Sequence, residues 1–409
     1  MIIFTPEEYE RLCCLVYIDD LTLYRKNLPL GIIANDLLNG FSQQKPGMSA
    51  DTDFHAVLRD IIEDPDLARL TITDFVDIPL GTPYHGAPFS MPGFRAVTFY
   101  DPKNKKAAVV FRGTYGDEEW ADNGRRMYTA DTQSAVDSVN YVKDTVAKSG
   151  VQVDKLGVAG HSGGGNKAMY VYITDDTADE CFSLDGEGFS VPFYEKYRTK
   201  IIDRADKITS YAERRDPVNG LGIMLTIPLY FSGARGETAL PEYPFGQPLP
   251  NFHIPDALRN TDNKIIEQAE YSPLSEVINK LTTYVLQSDD SADKVPFICD
   301  NIVTLMMTEK EPDTEDQAEA IFLLVEAALR LCREDPEFKN LFAEFFRTEE
   351  RMIHATMLCA VLRPAVENRI KSKIKEKFAD LEEDFAEKCL CSETGRFSIC
   401  KFLESRAAA

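Results

Sequence analysis

A serine framed by glycines, Gly160-His161-Ser162-Gly163-Gly164, stands where the apolar run Leu156 to Ala159 gives way to the helix-forming residues Lys167, Ala168, Met169, Val171 and Ile173. Strand, glycines and helix in that order serve two chemistries. A phosphate-cradling loop needs Gly-x-x-x-x-Gly-Lys-Ser/Thr, with the lysine directly after the second glycine so that its amine reaches the phosphates. Counted from Gly160, the second glycine is Gly165, but Asn166 follows it and Ala168 stands where a metal-binding hydroxyl belongs. The other template, Gly-x-Ser-x-Gly, fits at every position. There the serine sits on a tight strand-to-helix turn as a nucleophile, and the glycines relieve crowding that side chains would cause.

A serine hydroxyl becomes a useful nucleophile only when a base takes its proton. In the arrangement built on such a turn, the chain order is serine, acid, histidine. Five histidines are present: His55, His85, His161, His253 and His354. The first two come too early. His161 shares the turn with Ser162, where adjacent side chains point apart, so it reads as a pocket wall. His354 lies in a helical tail and reads as a packed histidine. That leaves His253, in "LPNFHIPDAL", as the base. Two acids end strand-like runs between serine and histidine, Asp185 after "CFSL" and Asp216 after "KITSYAE". Asp216 is preferred, although an aspartate at a strand end also commonly caps a turn. Oxyanion donors are expected from the backbone N–H of Gly163, which follows the nucleophile, and from Thr114 in the loop after "AAVVFRG".

These side chains need elements to hold them. "RAVTFY" and "AAVVF", separated by a polar turn with Pro102 and Asn104, read as a hairpin. Ala135, Val139, Val142 and Val146 fall at spacings of four, three and four, so a helix is expected from Thr132 to Lys148. Strands near 155–159, 180–185 and 207–213 then alternate with helices, which predicts an α/β fold with a mainly parallel sheet flanked by helices. Leu12, Val16, Leu30, Ile33 and Leu37 predict helices over the first 50 residues that cover part of that sheet. Beyond 260 the pattern is helical: "TEDQAEAIFLLVEAALRLC" opens with a capping-box spacing, Thr314 to Gln317, and Ile370, Ile374 and Phe378 share a stripe. The division expected is a catalytic domain over 1–260, with an N-terminal helical segment, and an all-helical C-terminal extension over 261–409.

Composition narrows the partners. With 45 Lys plus Arg against 67 Asp plus Glu, the net charge of -22 repels phosphate backbones, which argues against nucleic acid. No run reaches the roughly 18 apolar residues of a membrane span. Glu7, Glu8, Glu10 and Arg11 interrupt the start before any apolar leader core can form, so a cytoplasmic protein is expected. The nine cysteines read as reduced thiols. Cys389, Cys391 and Cys400 lack a Cys-x-x-Cys pair and a following histidine, so no metal site is expected. No cofactor is implied. Oligomeric state is not legible.

Taken together, "VVFRGT", "GHSGGG", "RDPV" and a histidine before a helix resemble the class 3 lipase branch of the αβ-hydrolases. "FRGTYGDEEWADN" and "FSLDGEGFS" are similar to the bacterial Mbeg1-like family, also called DUF2974. The likeness runs from about 90 to 258. It implies an αβ-hydrolase fold, with Ser162 as nucleophile, Asp216 as acid, His253 as base and Thr114 at the oxyanion hole. It also implies a small-molecule ester or lipid-like substrate. The segment after Arg-Gly-Thr carries a lipid-opened lid in class 3 lipases; here "YGDEEWADNGRRMY" sets Trp120 among acids and arginines. An acidic lid on an acidic protein is not drawn to an anionic surface, which points to a soluble or monomeric ester. Between acid and base, "GIMLTIPLYFSGARGETALPEYPFG" is a candidate acyl-pocket wall. The same serine site also suits acyl transfer or amide cleavage, and a hydrolase scaffold also suits a non-catalytic interaction protein.

Overall fold

The computed structural model describes residues 2–24, 26–40, 52–78, 94–115, 117–148, 150–233, 253–259, 264–265, 270, 272–288, 293–304 and 314–345. Four N-terminal helices, α1 (Pro6–Leu15), α2 (Leu30–Gly40), α3 (Phe54–Glu63) and α4 (Pro65–Ala68), precede strand β1 (Thr71–Ile78). The expected hairpin follows as β2 (Phe94–Asp101) and β3 (Lys106–Phe111). Its turn is set by Asp101, whose Oδ1 accepts from the N–H of Lys103 at 3.0 Å, and by Lys105 at φ 50°. Then come α5 (Asp117–Arg126), α6 (Gln133–Lys148), β4 (Lys155–His161), α7 (Gly163–Thr174), β5 (Glu180–Leu184), α8 (Val191–Arg204), β6 (Ile208–Glu213) and β7 (Leu229–Phe231).

The seven strands lie in the order β1-β2-β3-β4-β5-β6-β7. β1, β2 and β3 pair antiparallel, and every pair from β3 to β7 is parallel. This is the mainly parallel, helix-flanked sheet that the alternation of strands and helices predicts. Right-handed crossovers that step repeatedly in one direction put their helices on one face of a sheet. The connecting helices α6, α7 and α8 do share a face, with Val142, Val171 and Phe193 packing in one core with Val109, Phe111 and Val158. The opposite face would then be bare. The N-terminal helices cover it, burying Leu12, Ile33 and Val57 with Val97, Val110 and Phe182. The period-two alternation of β3 serves both layers, because Val109 and Phe111 face one core and Ala108 and Val110 the other.

Beyond residue 260, Ile265 forms an isolated antiparallel bridge with Arg259, and the described residues from 272 onward form helices: α9 (Pro273–Gln287), α10 (Val295–Thr304), α11 (Thr314–Glu334) and α12 (Pro336–Phe345). Glu326 and Arg330, which break the apolar run of α11, form an i,i+4 ion pair at 2.7 Å on a half-exposed side. Tyr128, just past α5, donates to Asp300 of α10 at 3.0 Å. The stripe Ile370–Ile374–Phe378, His354 and Cys389, Cys391 and Cys400 lie outside the described residues, as does His85. Among the described residues, no helix is long and apolar enough to cross a membrane.

Candidate active site

β4 is central in the sheet, and Ser162 follows it directly at φ 60° and ψ -132°. A non-glycine residue with positive φ is strained and needs support from its surroundings. Two supports are visible: the Ser162 N–H donates to Leu184 O at 2.9 Å, and the Ser162 carbonyl accepts from Gly165 N–H at 2.8 Å as α7 begins. The flanking glycines have the expected reason. A Cβ on Gly160 would stand 2.2 Å from the Gly164 carbonyl oxygen, and one on Gly164 would stand 2.2 Å from that of Phe111.

Asp216 follows β6 on a tight turn. Its Oδ1 accepts from the Val218 N–H at 2.9 Å, the same Asp-Pro turn that Asp101 makes in the hairpin. The neighbouring Arg215 is held by Glu213, which takes its Nε at 2.9 Å and its Nη2 at 2.8 Å. From the other side, the Ser275 hydroxyl of α9 lies 2.9 Å from the Asp216 carbonyl oxygen. His253 opens a short described segment, 253–259, in which Leu258 enters the core beneath the N-terminal helices. Arg259 of that segment donates to Glu10 of α1 at 2.9 Å through Nε and 2.5 Å through Nη2, and Asp256 accepts from the Asp53 N–H at 3.1 Å.

The structure brings Ser162, His253 and Asp216 together. Ser162 Oγ is 2.7 Å from His253 Nε2, and His253 Nδ1 is 2.6 Å from Asp216 Oδ2. All three side chains are buried. Burial disfavours the imidazolium and pushes the His253 pKa down to about 4. Burial also pushes the Asp216 carboxyl up, while the Val218 N–H pulls it back.

Thr114 and Gly163 are also neighbours: a Cβ on Gly163 would stand 2.8 Å from Thr114 Oγ1. Asn123 of α5 donates its Nδ2 to Thr114 Oγ1 at 2.6 Å. With a donor on one lone pair, the threonine hydroxyl keeps its own proton to give elsewhere. The preceding Gly113 gives its N–H to the Tyr17 hydroxyl at 3.0 Å, and that hydroxyl bonds His161 Nδ1 at 2.7 Å. His161 is thus a buried packing residue; its ring centroid lies 4.8 Å from that of His253, and burial holds its pKa well down.

Two readings need correction or extension. In the segment after Arg112-Gly113-Thr114, read from the sequence as an acidic lid, two of the acids are buried in ion pairs: Glu119 with Arg112 at 3.0 Å, and Asp122 with Arg126 at 2.9 Å. Arg126 further reaches Glu187 at 3.0 Å and the Gly163 carbonyl at 3.3 Å. Ion pairs with short spacing, i,i+4 for Asp122 and Arg126, were the available signal for a pinned helix. Tyr17 and Asn123 were not legible as site residues, since nothing local marks a residue whose partner lies far along the chain. The expected acyl-pocket wall is described only as far as residue 233; the rest of it lies outside the described residues.

The Mbeg1-like family model matches residues 88–215. That span includes Thr114, Ser162 and Gly163 and stops one residue before Asp216. No curated protein matches the chain. Among solved structures, the chain is similar to one titled "Crystal structure of M37 lipase", at 15% identity and a TM-score of 0.27, over 53% of this chain and 70% of that one.

Proposed function

We propose that the protein is a serine hydrolase that cleaves a carboxylic ester through an acyl-enzyme on Ser162. The observation that carries the reading is the continuous hydrogen-bond relay of 2.7 and 2.6 Å from the Ser162 hydroxyl through His253 to Asp216, set on a strained strand-to-helix turn. In the first half-reaction, Ser162 Oγ attacks the ester carbonyl while His253 Nε2 takes the hydroxyl proton. Asp216 holds the Nδ1–H tautomer and stabilises the imidazolium. The Gly163 N–H and Thr114 serve the developing oxyanion, and loss of one such donor typically costs about a hundredfold or more in turnover. His253 then gives its proton to the leaving alcohol. Water, activated by His253 in turn, attacks the acyl carbonyl and releases the acid and free Ser162. The residues over 1–260 form the catalytic unit in this reading, and the helices beyond brace the turn that carries the acid.

A fluorophosphonate probe tests it. The wild-type protein is expected to gain the mass of one phosphonyl group, and Ser162→Ala to gain none. Folded wild-type protein that stays unlabelled would leave only a hydrolase scaffold without catalysis.

A further inference from the structure

One face of α5 carries side chains that touch both proposed oxyanion donors. Asn123 donates to Thr114 Oγ1 at 2.6 Å, and Arg126, one helical turn further on, donates Nη1 to the Gly163 carbonyl at 3.3 Å. A Cβ on Gly163 would stand 3.3 Å from both Arg126 Nη1 and Asn123 Oδ1, so this face packs directly against the residue after Ser162. Arg126 is buried and held on several sides. Its Nε and Nη2 donate to Asp122 Oδ2 at 3.2 and 2.9 Å, Nη2 also to Ser134 Oγ at 3.1 Å, and Nη1 also to Glu187 Oε1 at 3.0 Å. The Glu187 loop is pinned in turn by Asn166 of α7, whose Nδ2 donates to the carbonyls of Glu187 at 3.2 Å and Gly188 at 3.0 Å. Carboxylates at both ends therefore fix the guanidinium, and the guanidinium fixes the Gly163 carbonyl. Lys167 Nζ, also buried, donates to the same oxygen at 3.4 Å.

A glycine at 163 needs such a hold, because its backbone is freer than that of any other residue. The peptide before it is held by the Ser162 carbonyl, which accepts from the Gly165 N–H at 2.8 Å. The peptide after it is held by Arg126 and Lys167. We propose that Arg126 is a positioning residue of this site: by bonding the Gly163 carbonyl, it keeps the Gly163 N–H aimed at the oxyanion of the tetrahedral intermediate. The inference rests on the acyl-enzyme reading of Ser162. Arg126 acts through Gly163, and a donor aimed in advance needs no reorganisation when charge develops. Lysine at 126 would keep the charge but lose the fork, since one ammonium cannot serve Asp122, Ser134, Glu187 and Gly163 together.

The experiment measures p-nitrophenyl acetate turnover and the affinity of phenyl trifluoromethyl ketone on the full chain, each per folded molecule. Ser162 Oγ adds to the ketone carbon, its proton passes to His253, and the former carbonyl oxygen carries the negative charge, so ketone affinity reports the oxyanion donors. Arg126→Lys is expected to lower kcat and ketone affinity alike, by about 10- to 100-fold, up to the loss of a whole donor. KM is expected to stay within about threefold, as for an interaction made only in the transition state. Unchanged kcat and ketone affinity in folded Arg126→Lys would overturn the proposal and leave a structural ion pair. A rise in KM with ketone affinity unchanged would overturn it in favour of substrate binding. Should Arg126→Lys fail to fold, Glu187→Gln decides: it removes the anion that aims Nη1, and unchanged ketone affinity there overturns the proposal. Wild type that binds the ketone no better than Ser162→Ala would instead sink the acyl-enzyme reading.

Discussion

Ser162, His253 and Asp216 combine two properties that oppose each other in water: close polar contact and near-complete burial. Burial is what keeps His253 neutral and therefore able to accept a proton. Its pKa lies near 4, below the ordinary histidine value of about 6.5. Protonating this imidazole removes the base, so activity is present above the folded pKa and lost as pH falls through it. Between pH 8 and pH 5 the phosphonylation rate is therefore expected to change by less than about threefold. An unperturbed imidazole would be about 3% neutral at pH 5 and would slow the reaction about thirtyfold. A rate profile with its midpoint near 6.5 would show that the base is a more exposed group than His253.

At the scale of elements, the proposed nucleophile is a product of the junction between β4 and α7. The strand must end beside the Phe111 carbonyl of β3 for α7 to start, which leaves no volume for a side chain at 164. Gly164→Ala is expected to destabilise the fold by about 1–3 kcal/mol, the usual cost of overpacking. Gly40→Ala, with nothing within 4 Å of its added methyl, is expected to stay within about 0.5 kcal/mol of wild type. Urea unfolding midpoints compare the two. The same logic ties α5 down: its Glu119 is paired with Arg112, its Asp122 with Arg126, and its Asn123 bonds Thr114. A helix with those buried ties walls the proposed oxyanion region.

At the scale of the molecule, the proposed base, His253, is carried by a segment anchored outside the sheet. Arg259, six residues after His253, is buried against Glu10, and Asp60 lies 3.8 Å from the same guanidinium. The N-terminal helices that fill the bare sheet face thus also hold the histidine segment, and Tyr17 from the same layer holds Gly113 and His161. Glu10→Gln removes one charge of a buried pair and is expected to cost about 3 kcal/mol by urea unfolding. It is also expected to slow labelling of the folded protein, although Glu10 touches none of Ser162, His253 or Asp216. Labelling that is unchanged per folded molecule would show that the segment keeps its place without this tie. On the opposite side, α9 reaches the Asp216 turn through Ser275 and the Gly220 carbonyl through Asn279 at 3.2 Å, so the turn that carries the proposed acid is braced by this helix.

The sequence by itself determined the parts whose physics is local. Glycine spacing wrote the elbow, β-rich runs wrote β2 to β6, the four-three-four apolar spacing wrote α6, and a helix-forming run after the glycines wrote α7. β7, three residues long, and the alternating β1 carried too little or too ordinary a pattern to be read as members of the sheet. Only the tertiary structure decided which distant groups share a volume: that His253 reaches Ser162, that Tyr17 bonds His161, and that Asn123 bonds Thr114. A hydrogen bond between residues 144 apart, as for Tyr17 and His161, leaves no periodicity to detect. The two carboxyls Asp185 and Asp216 show the difference most sharply, since both end strands in the same way along the chain, and only the fold brings one of them, Asp216, to within 2.6 Å of His253 Nδ1.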